Sequence, residues 1–290
     1  MPEQVEKMAE KSLARPIEPD VITLRPSKGL VGLQLKDLWH YRELIFFLTW
    51  RDILVRYKQT LLGAAWAVIN PLINMLVLTI IFGSFAQMST EGYPRQVFTF
   101  AALLPWGLFA KAVNDAGRSM LTNRSMITKV YFPRLIVPLA SVLGGLLDFV
   151  IAFVVLLGMM FYFQIGITTK ILLLPGFILL ALVASLGVGL WLSALHVNYR
   201  DVGYIIPFLT QLLLLITPVA YSASEVPVQW QWLYAMNPMV GVVEGFRWAL
   251  LGGDNLSWLM LGVSTAVALL LLVSGLYYFR YMERTFADMI

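Results

Sequence analysis

Charged residues are so sparse in this chain that each one inside an apolar run needs a reason. Asp148 lies near the midpoint of the hydrophobic stretch Leu135 to Phe163. A carboxylate at mid-bilayer costs about 2.5–3.5 kcal/mol on insertion scales, so it must face protein or water. It could relay protons, line a polar path, or act as a hydrogen-bonded brace, with Lys111 of the preceding stretch as a partner. A relay needs a series of titratable groups, and a lone acid favours the brace. Lys111 and Asp115 stand at i, i+4 and can neutralise each other on one helix face. Glu244 and Arg247 stand at i, i+3, with Trp248 one turn from Glu244. They read either as a local ion pair or as part of a gate over an exit.

Other chemistry is missing. The sequence holds no Gly-x-x-x-x-Gly-Lys-Ser/Thr phosphate loop, no His-Glu-x-x-His and no Gly-x-Ser-x-Gly elbow. The two histidines, His40 and His196, fall at expected inner surfaces, and no residue set points to a metal. There are no cysteines, hence no disulfide and no thiolate site. Movement across a membrane fits better than chemistry on a substrate. A chain without a nucleotide motif would draw its energy from a partner.

The composition places these residues in a bilayer. A soluble domain is about 45–50% apolar and about 25% charged, whereas this chain of 290 residues is 59% hydrophobic and 13% charged. The net charge of +4 does not argue for nucleic acid, because the bases cluster beside hydrophobic segments. Most of the 21 Lys and Arg fall on one side of an even number of crossings. Arg95, Lys170 and Arg247 remain on the other side, and Lys111 lies within a crossing. The bias puts both termini in the cytoplasm.

The expected architecture is all-α and integral to the membrane. Residues 1–34, with Pro16, Pro19 and Pro26, read as a flexible cytoplasmic tail, and no cleavable leader is expected. Residues 38–62 form an amphipathic helix. Trp50, Ile53, Leu54, Tyr57 and Leu61 share a face, and Arg51, Asp52, Arg56, Lys58 and Gln59 lie largely opposite. Asp52 and Arg56 are spaced to support that helix. It is either a simple surface anchor or a docking surface for a cytoplasmic partner. Six crossings follow, over 63–85, 97–116, 135–163, 171–194, 202–221 and 256–279. Between the last two, residues 228–252 are apolar but broken by Pro238, Gly241 and Gly245, and carry Glu244 and Arg247. Such a stretch is too short for the roughly 20 residues of a span. It should dip in and return against protein or a water-filled cavity.

Five stretches together carry a resemblance. They are Trp50-Arg-Asp-Ile-Leu-Val-Arg-Tyr-Lys-Gln-Thr-Leu-Leu-Gly-Ala-Ala-Trp, Asn70-Pro-Leu, Val130-Tyr-Phe-Pro-Arg, Asn198-Tyr-Arg-Asp-Val, and Asn237-Pro with Glu244-Gly-Phe-Arg-Trp-Ala-Leu-Leu-Gly. In this order and spacing, from about Leu35 onward, the chain resembles the transmembrane subunit of ABC-2-type polysaccharide exporters. That family exports O-antigen, capsular or teichoic-acid polymers, and the last motif is similar to the O-antigen branch. The resemblance implies a bacterial inner-membrane homodimer with two ATP-binding subunits on its inner face; ATP and Mg would be held there, and no cofactor in this chain. It implies that the interface helix, with Arg51, Asp52 and Arg56, cradles that partner. Tyr131, Pro133 and Arg134 would form the coupling loop, aided by Asp201. It also implies a periplasmic gate in the re-entrant pair, with Trp230, Trp232, Asn237, Pro238, Glu244, Arg247 and Trp248. The substrate would be a glycan on a polyprenyl diphosphate carrier. Competing readings are a proton-driven secondary transporter using Asp148, a glycan-processing membrane enzyme, and a drug or lipid exporter of the same superfamily.

Overall fold

The computed structural model describes residues 35–58, 65–85, 88–253 and 256–286. The expected tail over 1–34 and the extreme C terminus lie outside the described residues. Among the described residues every regular element is helical. The amphipathic segment is two helices, α1 (Leu35–His40) and α2 (Arg42–Lys58), with a turn at Tyr41. Residues 59–62 of the expected interface helix and 63–64 of the expected first crossing lie outside the described residues. Next come α3 (Ala65–Ile80), α4 (Arg95–Thr122), α5 (Arg124–Ile127), α6 (Ile136–Leu143), α7 (Leu146–Tyr162) and α8 (Leu174–Asn198). The chain ends in α9 (Val202–Ile216), α10 (Val228–Tyr234), α11 (Pro238–Leu251) and α12 (Trp258–Glu283). Among the described residues, five stretches are long and apolar enough to cross a membrane: Ala65–Gly83, Arg95–Thr122, Ile136–Tyr162, Thr169–Asn198 and Trp258–Glu283. Val202–Ile216 is apolar but shorter.

The central element is α4, about 42 Å long at 1.5 Å per residue. It is the least apolar of the five stretches and the most buried. Lipid solvates apolar side chains as well as a protein interior does, so the helix carrying polar groups gains most from the middle of the bundle. Phe98, Phe100, Phe109 and Met120 on α4 are almost wholly buried. Helices α3, α6, α7, α8, α9 and α11 all pack on it.

Several boundaries differ from expectation for local reasons. The second crossing was expected to stop at Ala116, but α4 runs to Thr122. Its polar inner turn satisfies itself, with the Thr122 hydroxyl donating to Arg118 O and Arg118 Nη2 to Gly203 O at 2.9 Å. The third crossing was expected to be continuous, but Gly144 and Gly145 interrupt it between α6 and α7. Glycine weakens a helix. A Cβ at Gly145 would also press on Leu108 Cδ1 at 3.3 Å. The fifth was expected to reach Tyr221, but α9 ends at Ile216. Thr217 is extended, as a residue before proline tends to be. The fourth and sixth run past Ala194 and Phe279, to Asn198 and Glu283.

The stretch expected to re-enter forms two helices, α10 and α11, joined by a turn over 235–237, the hairpin. Asn237 caps α11, its side chain accepting from Met239 N at 3.0 Å, and Pro238 occupies the first helical position. Gly252 closes α11 with φ +84°, the left-handed cap that glycine adopts without strain. Helices α8 and α12 touch through backbone: a Cβ at Gly187 would lie 2.7 Å from Leu272 N, and one at Gly275 2.7 Å from Gly187 O.

Candidate functional site

Two polar clusters flank the core of α4, separated along it by about 20 Å (Phe98 to Lys111). At the end nearest α2, the Arg56 guanidinium reaches both acids of the bundle. Its Nη2 lies 3.0 Å from Asp115 Oδ2 and its Nη1 3.0 Å from Asp148 Oδ2. Nη1 also approaches Gly144 O at 3.4 Å, a carbonyl beside the helix break. Lys111 Nζ lies 3.3 Å from Asp148 and 3.5 Å from Asp115. The Tyr57 hydroxyl donates to Asp148 Oδ1. Two cations thus face two carboxylates drawn from α2, α4 and α7. The expected Lys111 partners are present, and Asp148 sits in the first turn of α7 rather than isolated in mid-helix. The expected Asp52–Arg56 pair is not formed. Asp52 pairs with Arg51 at 2.7 Å, because Arg56 turns inward to the acids of α4 and α7.

A cavity of about 370 Å³ opens beside this cluster, lined by Trp66, Asn70 and Asn74 of α3 and by Leu103, Gly107 and Leu108 of α4. A second groove, about 450 Å³, lies along Arg51, Asp52, Arg118, Asn123 and Ser125. Arg51 Nη2 donates to Asn123 Oδ1 at 2.6 Å. Of the expected coupling residues, Arg51, Asp52 and Arg56 share this groove. Tyr131 is exposed at 73% beyond it, and Pro133 is half-buried. Arg134 is fastened to the end of α12, its backbone N donating to Glu283 Oε1 at 3.2 Å and its guanidinium to Glu283 O. Asp201 is exposed before α9, and its side chain makes no hydrogen bond or ion pair among the described residues. His196 is buried with Nδ1 3.0 Å from Gly117 O, a packing role; His40 is exposed.

The second cluster surrounds the hairpin. Arg247 is almost fully buried. Its Nη1 donates to Tyr221 O at 3.1 Å, and its Cζ lies 4.0 Å from the Phe98 ring centroid. Glu244 Oε1 is 3.6 Å from Arg247 Nη2 and accepts from Ala223 N at 3.2 Å. Burial pushes the Glu244 carboxyl above the ordinary carboxylate range, and Arg247 pulls against that. Burial, reinforced by the Tyr221 hydroxyl 2.8 Å away, pushes Tyr234 up and keeps its phenol neutral. Arg247 Nε and Nη2 have no hydrogen-bond partner among the described residues. Asn237 Nδ2 donates to Thr217 Oγ1 at 2.8 Å. Trp248 sits beneath Lys170 Nζ at 4.7 Å and meets the edge of Trp258. Trp230 and Trp232 point outward and are more than half exposed.

The sequence missed the groups that fasten this hairpin. The Tyr93 hydroxyl donates to Leu251 O at 2.7 Å, and Lys170 Nζ to Gly253 O at 3.0 Å. The Ser222 hydroxyl donates to Glu91, whose φ is +55°. Only the neighbouring Gly92 marked a turn there; nothing marked a contact 131 residues away.

A helical bundle with several stretches long and apolar enough to cross a bilayer defines a multi-span membrane protein. The ABC-2 type transporter family matches residues 43–251, and the chain belongs to that family. It is 27% identical over 257 residues to the O-antigen export system permease protein RfbA of Klebsiella pneumoniae, covering 88% of this chain and 97% of that one. The Myxococcus xanthus protein of the same name is 29% identical over 215 residues, covering 73% and 82%. The polysialic acid transport protein KpsM of Escherichia coli is 25% identical over 238 residues, covering 80% and 91%.

Proposed function

We propose that this chain is the membrane-spanning subunit of an ATP-driven exporter that carries a lipid-linked polysaccharide, of the O-antigen kind, across the bacterial inner membrane. Likeness along nearly the full length of an O-antigen export permease is the observation that carries this reading. Two copies would form the channel, and a separate pair of ATP-binding subunits would supply the energy. Both termini would be cytoplasmic, α9 would be the fifth of six crossings, and α10–α11 would re-enter from the periplasmic face.

The Arg56 contacts support a mechanism. A partner seated against α2 and the 131–134 loop moves α2 on closing. Arg56 then draws on α4 through Asp115 and on α7 through Asp148. The Gly144–Gly145 break lets α6 follow α2 while α7 tilts. Asp148 is held by Arg56, Lys111 and Tyr57 at once, which supports a coupling brace rather than a proton carrier.

The test is Arg134→Glu in the full complex. Export and transport-linked ATPase activity should both fall; persistence of both would remove this loop from the coupling path. Export that survives Asp148→Asn but stops without the ATP-binding partner separates this reading from a proton-driven transporter. A periplasmic C-terminal tag would make the hairpin a seventh crossing and overturn the architecture.

A further inference from the structure

The largest cavity described lies at the hairpin end, away from the charge lattice. It measures about 690 Å³ and is lined by Glu91, Tyr93, Ser222, Ser224, Gln231, Glu244, Gly253 and Ser257, over a floor of Met260 and Leu261. That volume is within the roughly 300–1,000 Å³ of small-molecule sites. A chamber of about 20 Å³ shares Glu91, Tyr93, Glu244 and Gly253 with it and is bounded by Arg247 and Phe98. The chamber holds one water or one hydroxyl.

The unused hydrogen-bonding capacity here has a definite pattern. Glu91 and Glu244 each engage one oxygen, with Ser222 and with Ala223 N respectively. The second oxygen of each has no hydrogen-bond partner among the described residues. Arg247, its side chain 5% exposed, borders the small chamber, and its Nε and Nη2 have no hydrogen-bond acceptor among the described residues. A group that completes this set must donate to carboxylates and accept from a guanidinium. An anion would meet two carboxylates, and a metal ion would meet Arg247 beside them. A hydroxyl does both jobs without charge. A molecule rich in hydroxyls and large enough for the outer cavity is a saccharide.

We propose that this cavity is a saccharide site, taking uncharged sugar residues through their hydroxyls and turning away acidic ones. It deepens the exporter reading and rests on it: the growing or departing glycan contacts this chain at the hairpin, between the 88–94 loop and the start of α12. Selectivity among polymers would then reside partly in Glu91 and Glu244.

The experiment uses the photo-cross-linker benzoylphenylalanine in cells carrying the whole complex. It is placed at Ser224 or Leu256, which line the cavity, and at Leu270, which is 68% exposed on the apolar surface of α12. Adducts are detected by periodate staining of vicinal diols. Stained adducts at Ser224 and Leu256 but not at Leu270 are expected. Glu91→Gln should lower their yield about tenfold, on the scale of one hydrogen bond to a charged group. Gly253→Trp should abolish them. A Cβ at Gly253 meets only Glu91 Oε2, at 3.9 Å, so the indole can fill the cavity without a backbone clash. Export that proceeds with no adduct at Ser224 or Leu256 overturns the site and leaves the exporter reading intact. Equal adduct yield with a uronate-bearing polymer overturns the charge preference. If the unmodified complex exports no polymer, both readings fall.

Discussion

The two ends of the bundle handle buried charge in opposite ways. Near α2, Arg56 and Lys111 each touch both Asp115 and Asp148, and Tyr57 adds a hydrogen bond. All four charged side chains keep about a fifth to a third of their surface exposed. At the hairpin, Arg247 is enclosed, has one neutral hydrogen bond and an aromatic face, and stands 3.6 Å from Glu244. The first arrangement is redundant: each carboxylate has two cations, so losing one leaves another. The second has no spare partner, and Arg247 borders the small chamber with bonds unmade among the described residues. Redundancy suits a part that transmits force, and incomplete satisfaction suits a part that receives a ligand.

Five substitutions sharpen the contrast. Arg247→Met should be the most damaging, about 3–5 kcal/mol, because it strands a buried carboxylate. Its thermal midpoint in detergent should also depend on pH. Burial already raises the folded pKa of Glu244 above its unfolded value. Stability is therefore fullest below the unfolded carboxylate range and is lost as pH rises through the folded pKa, the more so without Arg247. Adding Glu244→Gln should remove the pH dependence and recover part of the loss. Arg56→Met should cost about 2 kcal/mol, less than a fully buried pair because the cluster is partly solvated. Its signature is ATPase activity that persists while export falls. Tyr57→Phe should cost about 1.5 kcal/mol, the low end for a hydrogen bond to a charged acceptor, because the cluster is partly solvated. Lys111→Gln should cost under about 1 kcal/mol, since Arg56 still holds both carboxylates. If Lys111→Gln proved as costly as Arg247→Met, the claim of redundancy would fail.

The sequence was informative wherever the signal was local. Pro238, read as a break in 228–252, stands at the first position of α11, and the Lys111–Asp115 spacing announced a pair. The Gly144–Gly145 break was written in the chain but was masked by the apolar residues on both sides. Helices α4, α8 and α12 run past the expected crossings, because charge marks where a helix leaves the apolar layer, not where it stops being helical. The Arg56 contacts to Asp115 and Asp148 span 59 and 92 residues. The stacking of Arg247 on Phe98 joins α11 to α4. No period or spacing encodes such meetings; they follow from which helices become neighbours. Glu91 gave the least signal, a single acid in a short polar loop.

The glycine contact between α8 and α12 limits how the protein can move. With main chain against main chain at Gly187 and Gly275, and Trp191 stacked on Tyr278 at 4.3 Å, these two helices cannot slide or roll independently. They form a strut. On the exporter reading proposed above, widening would come from the thinly supported members, α3 and α9, whose outward faces carry Ile73, Leu76, Phe208 and Leu215. A thiol pair clamping α8 to α12 should therefore be harmless to turnover, and one clamping α3 to α4 should arrest it.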